Sequence, residues 1–158
     1  MYKLYQYKSI KYGFIVLCSS GNIGQLKSTT NSIKDYYPNS EIIIVEGLSS
    51  TFMINKGLKE SKCNEWNFII PAGGWIKSRI DIKYSYFIES NKDILFPVLK
   101  TRSINYNFMS HDNGMMIHKE AFTDIGEFPD GSNSKLMWTT AAIKKGYKFK
   151  GIVGGRLF

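Results

Sequence analysis

Residues 55–75, NKGLKESKCNEWNFIIPAGGW, constrain the fold more than any other stretch, because they pass from a short amphipathic helix into a buried strand and then into a glycine-rich loop. Leu58 follows Ile54 by one helical turn, so one face can pack. Trp66, Phe68, Ile69 and Ile70 then form an apolar run too short for a helix. Strands buried on both faces belong to parallel sheets. Ligands of such sheets sit off the carboxyl ends of the strands, here where Pro71, Ala72, Gly73, Gly74 and Trp75 leave the sheet. This loop is the first candidate site.

Upstream, residues 12–18 read as a strand, and Ser19, Ser20, Gly21 and Asn22 can turn the chain and cap a helix. Ile23, Leu26, Thr30, Ile33 and Tyr37 recur at helical spacing until Pro38, Asn39 and Ser40 stop the pattern. Residues 41–46, EIIIVE, are rich in β-branched side chains and read as a second buried strand, which completes a strand-helix-strand unit with a right-handed crossover. The turn at Ser19–Gly24 reads either as a phosphate loop at a helix N-terminus or as an ordinary helix cap, and the cap is favoured because GNIG lacks the third glycine of a dinucleotide fingerprint and the Lys-Ser/Thr of a P-loop. Glu46 ends the second strand. It is either a carboxylate for ribose hydroxyls or an exposed strand-end glutamate.

Downstream, Ile76, Ile80, Tyr84, Phe87 and Ile88 follow helical spacing, which favours a helix although Ile80 to Tyr86 also alternates, residues 93–99 read as a strand that Pro97 demotes to an edge or a bend, and residues 101–110 lack a period and read as a loop over the site. Residues 113–117 suggest a strand, 119–125 a helix with Gly126 as its cap, and 134–145 a last helix with Leu136, Met137, Thr140, Ala141 and Ile143 inward. His111 and Asp112 are either a metal or acid/base pair or an incidental loop pair.

The length of 158 residues fits one domain spanning 1–158, and 43% hydrophobic and 15% aromatic content excludes a disordered chain. No run approaches a membrane span, and GFIVLC near the N-terminus reads as a first strand rather than a signal peptide. Cys18 and Cys63 have neither zinc nor disulfide-framework spacing and read as reduced packing residues of a cytoplasmic protein. The net charge of +8 suits an anionic partner, although dispersed lysines also make an ordinary solvated surface. No nucleic-acid partner is expected, and the oligomeric state is open.

Several of these stretches resemble nucleotide-sugar glycosyltransferases of the GT-A fold, family 2 in particular. Asn55, Gly57 and Leu58 match an Asn-x-Gly-Leu helix ahead of a hydrophobic strand, Gly114, Gly126 and Phe128 match a Gly-containing strand, a helix and Gly-x-Phe, and Gly146-Tyr147-Lys148 matches the end of the catalytic helix. Glu46, Gly47 and Ser49 echo the segment that contacts the nucleoside. The resemblance runs over residues 12–151. It implies a single-domain, Rossmann-like α/β fold with a mostly parallel sheet flanked by helices, binding a nucleotide-diphosphate sugar near Ser19, Glu46, Asn55 and the loop of Pro71, Ala72, Gly73, Gly74 and Trp75. The reaction implied is transfer to a glycan hydroxyl. Pro71 and Gly73 stand where the family has its metal-binding Asp-x-Asp, and Ser134 and Lys135 where it has the Glu-Asp that supplies its catalytic base. No bound divalent metal is therefore expected, the diphosphate is assigned to cations such as Lys77 or Arg79, and Glu127 and Asp130 are the candidates for a replacement base in a poor or inactive transferase. A non-catalytic nucleotide- or sugar-binding module is the alternative reading, and a Rossmann-type dinucleotide-binding protein a third.

Overall fold

The computed structural model describes residues 12–63, 65–76, 94–98 and 115–153. In chain order these form β1 (Tyr12–Cys18), a 3-10 turn (Ile23–Gln25), α1 (Leu26–Tyr36), β2 (Glu41–Glu46), α2 (Ser50–Glu60), β3 (Trp66–Pro71), β4 (Ile94–Val98), β5 (Met115–His118), α3 (Lys119–Ile125), α4 (Ser134–Lys144) and β6 (Phe149–Val153). The strands make one six-stranded sheet in the order β2-β1-β3-β5-β4-β6. β1 pairs in parallel with β2 and β3, and β4 with β6, while β5 runs antiparallel to both of its neighbours. The chain is thus a single-domain α/β protein with a Rossmann-like, mostly parallel sheet flanked by helices.

Successive side chains of a strand point to opposite faces, so the unbroken apolar runs of β1 and β3 build two cores at once. Phe14, Val16, Phe68 and Ile70 pack on one face with Ile33 and Tyr37 from α1 and its end. The Phe14 and Phe68 rings stack there, 5.0 Å apart at 12°. Ile15, Leu17, Ile69 and Ile117 pack on the other face with Ile54 and Leu58 of α2 and Trp138 and Ala142 of α4. Each fully buried side chain of this size contributes about 1.5–3 kcal/mol.

Asn67 interrupts the apolar run of β3 and is wholly buried. Its Oδ1 accepts from the Ser61 hydroxyl at 2.6 Å and its Nδ2 donates to the Cys63 carbonyl at 3.3 Å. Glu41 closes the network by accepting from the Lys62 amide at 2.9 Å, and Lys119 Nζ donates to the Ser61 carbonyl. A satisfied polar cluster therefore staples β2, β3 and the end of α2 together at the amino end of the sheet. Both cysteines are buried and neither is in a disulfide, and burial pushes the Cys63 thiol up to about 11.

Four expectations are corrected. β2 lies at the sheet edge rather than inside it, with Ile44 45% exposed, because β1 pairs β2 on one side only and β3 on the other. β4 is interior, between β5 and β6. Its register with β5 is Leu95↔Met116, two residues before Pro97, so that ladder does not call on the missing Pro97 N–H. In α1 the inward hydroxyl is Thr29 rather than Thr30, and Ile23 stands exposed in the 3-10 turn, whose tighter winding shifts the phase of the stripe. In α4 the buried residues are Ser134, Trp138, Thr139 and Ala142, while Leu136, Met137 and Ile143 are exposed. That helix carries apolar residues on opposite sides, so periodicity alone could not choose its inner face. The helix expected over residues 76–88 and the loop over 101–110 lie outside the described residues.

The fit of α2 on β1 depends on Gly57, because a Cβ there would run into the Ile15 side chain. Glycine to alanine inside an open helix stabilises by about 1 kcal/mol. Gly57→Ala is expected to do the opposite, destabilising by about 1–3 kcal/mol through overpacking, read as a lowered urea midpoint at an unchanged slope.

Candidate functional site

The parallel pairing of β1, β2 and β3 brings three carboxyl ends together, with Cys18 in register with Glu46 and Leu17 with Pro71. The chain leaves β1 through a turn in which the Ser19 N–H donates to Asn22 Oδ1 at 2.7 Å and the Asn22 N–H donates back to the Ser19 carbonyl at 3.1 Å. Beside it, the Gly47 N–H donates to the Cys18 carbonyl at 3.2 Å, which holds Glu46 at the sheet edge with its side chain in solvent. Ser49 caps α2, its hydroxyl accepting from the Phe52 N–H at 3.5 Å. Burial and the negative charge of Glu46 both raise the Cys18 thiol above its ordinary value, so it stays protonated and is a poor nucleophile.

The glycine-rich loop after β3 faces inward with its backbone. The Ala72 N–H donates to the Leu17 carbonyl at 2.8 Å and the Gly74 N–H to the Pro71 carbonyl at 2.9 Å. Two hydroxyls of α1 take the next amides: the Gly73 N–H donates to Thr29 Oγ1 at 2.8 Å and the Ile76 N–H to Ser32 Oγ at 3.1 Å. An anion cradle needs converging, unengaged N–H groups, and this loop has committed four of them to the protein. What it presents outward is Trp75, 51% exposed. Gly73 adopts φ 103°, a left-handed conformation, and a Cβ there would also collide with the Gln25 side chain. Lys77, Arg79, His111 and Asp112 lie outside the described residues.

Asn55, Glu127 and Asp130 form a second group. The Asn55 amide donates to the Phe128 carbonyl and accepts from the Phe128 N–H, both at 2.8 Å. Glu127 pairs with Lys59 at 2.9 Å, both side chains more than half exposed, so the pair contributes little to stability. Together with Phe52, Lys56 and Pro129 these residues line an open groove of about 600 Å³ along α2. None of Ser19, Glu46 or residues 71–75 lines it. The ten described candidates thus divide between the sheet's carboxyl edge and the flank of α2, and Asn55 belongs to the flank. Ser134, at the start of α4, is buried, and its hydroxyl lacks a hydrogen-bond partner among the described residues. Sequence reasoning missed the anchoring roles of Thr29 and Ser32; their spacing of three along α1 was the available signal.

No protein-family model and no curated protein matches the sequence. Among solved structures the chain is similar to the mannosyltransferase PcManGT from Pyrobaculum calidifontis in complex with GDP-Man and Mn2+, with a TM-score of 0.67 over 95% of this chain and 58% of that one at 13% identity. It is also similar to the bifunctional IspDF from Campylobacter jejuni, with a TM-score of 0.60 over 91% of this chain and 50% of that one at 11% identity. The chain spans about half the length of these proteins. At such identities the shared property is the fold, a Rossmann-like α/β arrangement.

Thr29→Val keeps the shape of the buried side chain and removes the acceptor of the Gly73 N–H. The orphaned amide is expected to cost about 1–3 kcal/mol. Hydrogen exchange at Gly73 should accelerate by more than at the centre of β3; equal changes at both sites would argue against a local anchor.

Proposed function

We propose that the chain is a glycosyltransferase-like domain that binds a nucleotide-diphosphate sugar across the carboxyl ends of β1, β2 and β3 and transfers the sugar to a glycan hydroxyl weakly or not at all. The observation that carries this reading is the match of 95% of the chain to the fold of a mannosyltransferase solved with GDP-Man and Mn2+. Parallel strand ends are where such folds take ligands, and here Glu46 and Trp75 stand exposed at that edge. Glu46 offers a carboxylate to ribose hydroxyls, and Trp75 offers an aromatic face to a base or a sugar.

The residues at this edge do not fit a divalent metal. Pro71, Ala72 and Gly73 carry no ligating side chain, and among the described residues no group of three or more His, Cys, Asp or Glu side chains could hold an ion. With the loop amides engaged as well, the diphosphate charge falls to side-chain cations, for which Lys77 and Arg79 are the nearest in sequence.

Sugar transfer also needs a base for the acceptor hydroxyl, worth about 10²- to 10⁴-fold in rate. Of the two candidates, Glu127 is held by Lys59 on the flank of α2, in a groove that shares no lining residue with the strand ends. That separation favours the second reading, a nucleotide- or sugar-binding module without chemistry.

Calorimetric titration with GDP- and UDP-sugars tests the site: binding is expected, unchanged by Mn2+, and weakened about tenfold to hundredfold by Glu46→Gln. Absence of binding by any nucleoside diphosphate removes the proposal. Turnover is expected to be slight in the wild type and unaltered in a Glu127→Gln/Asp130→Asn double variant, whereas robust turnover that collapses in that variant restores an active enzyme with an unusual base.

A further inference from the structure

α4 carries two apolar faces, and the core uses one. Trp138 and Ala142 pack inward, while Leu136, Met137 and Ile143 on the far side are 51%, 54% and 57% exposed. Leu136, Thr140 and Ile143 recur at i, i+4 and i+7, with Met137 and Lys144 on the adjoining row, so these side chains form one continuous strip. The Thr140 hydroxyl donates back to the Leu136 carbonyl at 2.9 Å, which satisfies its polar group within the helix. Three large apolar side chains, each more than half exposed on a single helix face, differ from the scattered surface residues that need no explanation.

The charge of the sequence segment that carries this strip is one-sided. From residue 131 to the end the sequence holds Lys135, Lys144, Lys145, Lys148, Lys150 and Arg156 and neither Asp nor Glu, so these six cations account for six of the net +8 (21 − 13). Lys144, Lys145 and Lys148 are exposed at the end of α4 and just beyond it. Asp124 of α3 reaches this end, but its carboxylate accepts from Lys145 Nζ at 3.2 Å and from the Tyr147 hydroxyl at 2.7 Å.

We propose that the outward face of α4 is a docking surface for an anionic phospholipid membrane. The helix, about 16 Å long, lies in the plane of the interface with Leu136, Met137 and Ile143 at the boundary of headgroups and acyl chains and the lysines on the phosphates. Charge selects this occupant. A second copy docked face to face would bring one acid-free basic segment against another, whereas an anionic leaflet neutralises it. No helix among the described residues is long and apolar enough to cross a membrane, and this mode of binding requires none. The proposal stands independently of the nucleotide-sugar reading.

Co-sedimentation with vesicles of phosphatidylcholine alone, and of phosphatidylcholine mixed with phosphatidylserine, tests it. The wild type is expected to bind the mixed vesicles and not the neutral ones, and to weaken roughly tenfold or more from low to high salt. Leu136→Ser/Ile143→Ser and, separately, Lys144→Glu should each weaken binding roughly tenfold at an unchanged melting temperature, since all three side chains are exposed. Failure to bind anionic vesicles, equal binding to both compositions, or wild-type binding by both variants overturns the proposal. So does a concentration-dependent dimer in vesicle-free buffer that Leu136→Ser/Ile143→Ser abolishes, because the strip would then belong to a second copy.

Discussion

One side-chain amide joins parts of the fold that are 73 residues apart. Asn55, on α2, satisfies both the N–H and the carbonyl of Phe128, as a strand neighbour would. With Phe128 held, its ring stacks on Trp138 at 4.3 Å and 14°, and the Trp138 indole donates to the Gly126 carbonyl at 2.8 Å. α2, the segment after α3, and α4 are in this way locked into one layer over the odd-numbered face of β1 and β3. Without the Asn55 amide, a partly buried backbone N–H and carbonyl would each lose a partner, and the inner face of α4 would lose the ring that fixes it.

The motif that carries the family resemblance is, in this chain, a packing device. Asn55 clamps the Phe128 backbone, Gly57 lets α2 approach Ile15, and Leu58 is fully buried. Each of these tasks serves the fold and can be kept whether or not any chemistry follows. The same division runs through the loop after β3, where the glycines and the α1 hydroxyls secure the backbone while Trp75 alone turns outward. Ser134, at the position the resemblance gives to the catalytic base, holds a buried hydroxyl without a hydrogen-bond partner among the described residues in place of a carboxylate.

Much of the architecture was legible in local patterns. The runs at β1 and β3, with apolar residues at both parities, announce strands covered on both faces, and Pro38 and Gly126 mark helix ends that the structure keeps. Less was legible wherever the pattern was symmetric. EIIIVE looks the same at the edge of a sheet as at its centre, and an α4 with apolar residues on opposite sides gives no phase. β6, over residues 149–153, drew no expectation at all, because a short strand containing Gly151 has little β signal of its own and takes its place by pairing with β4.

The site divides along the same line. That the carboxyl ends of β1, β2 and β3 lie together at one edge follows from strand polarity, which the β-α-β order of the sequence dictates once the strands are parallel. That Glu46 and Trp75 face solvent there, that the amides around Gly73 are already engaged, and that Asn55 and Glu127 lie on the flank of α2 were decided by tertiary structure alone. Local sequence determines which segments become strands and helices because dihedral preference and hydrophobic period act over a few residues. Which side chains then meet depends on contacts between segments dozens of residues apart, and those contacts exist only after the sheet has chosen its order.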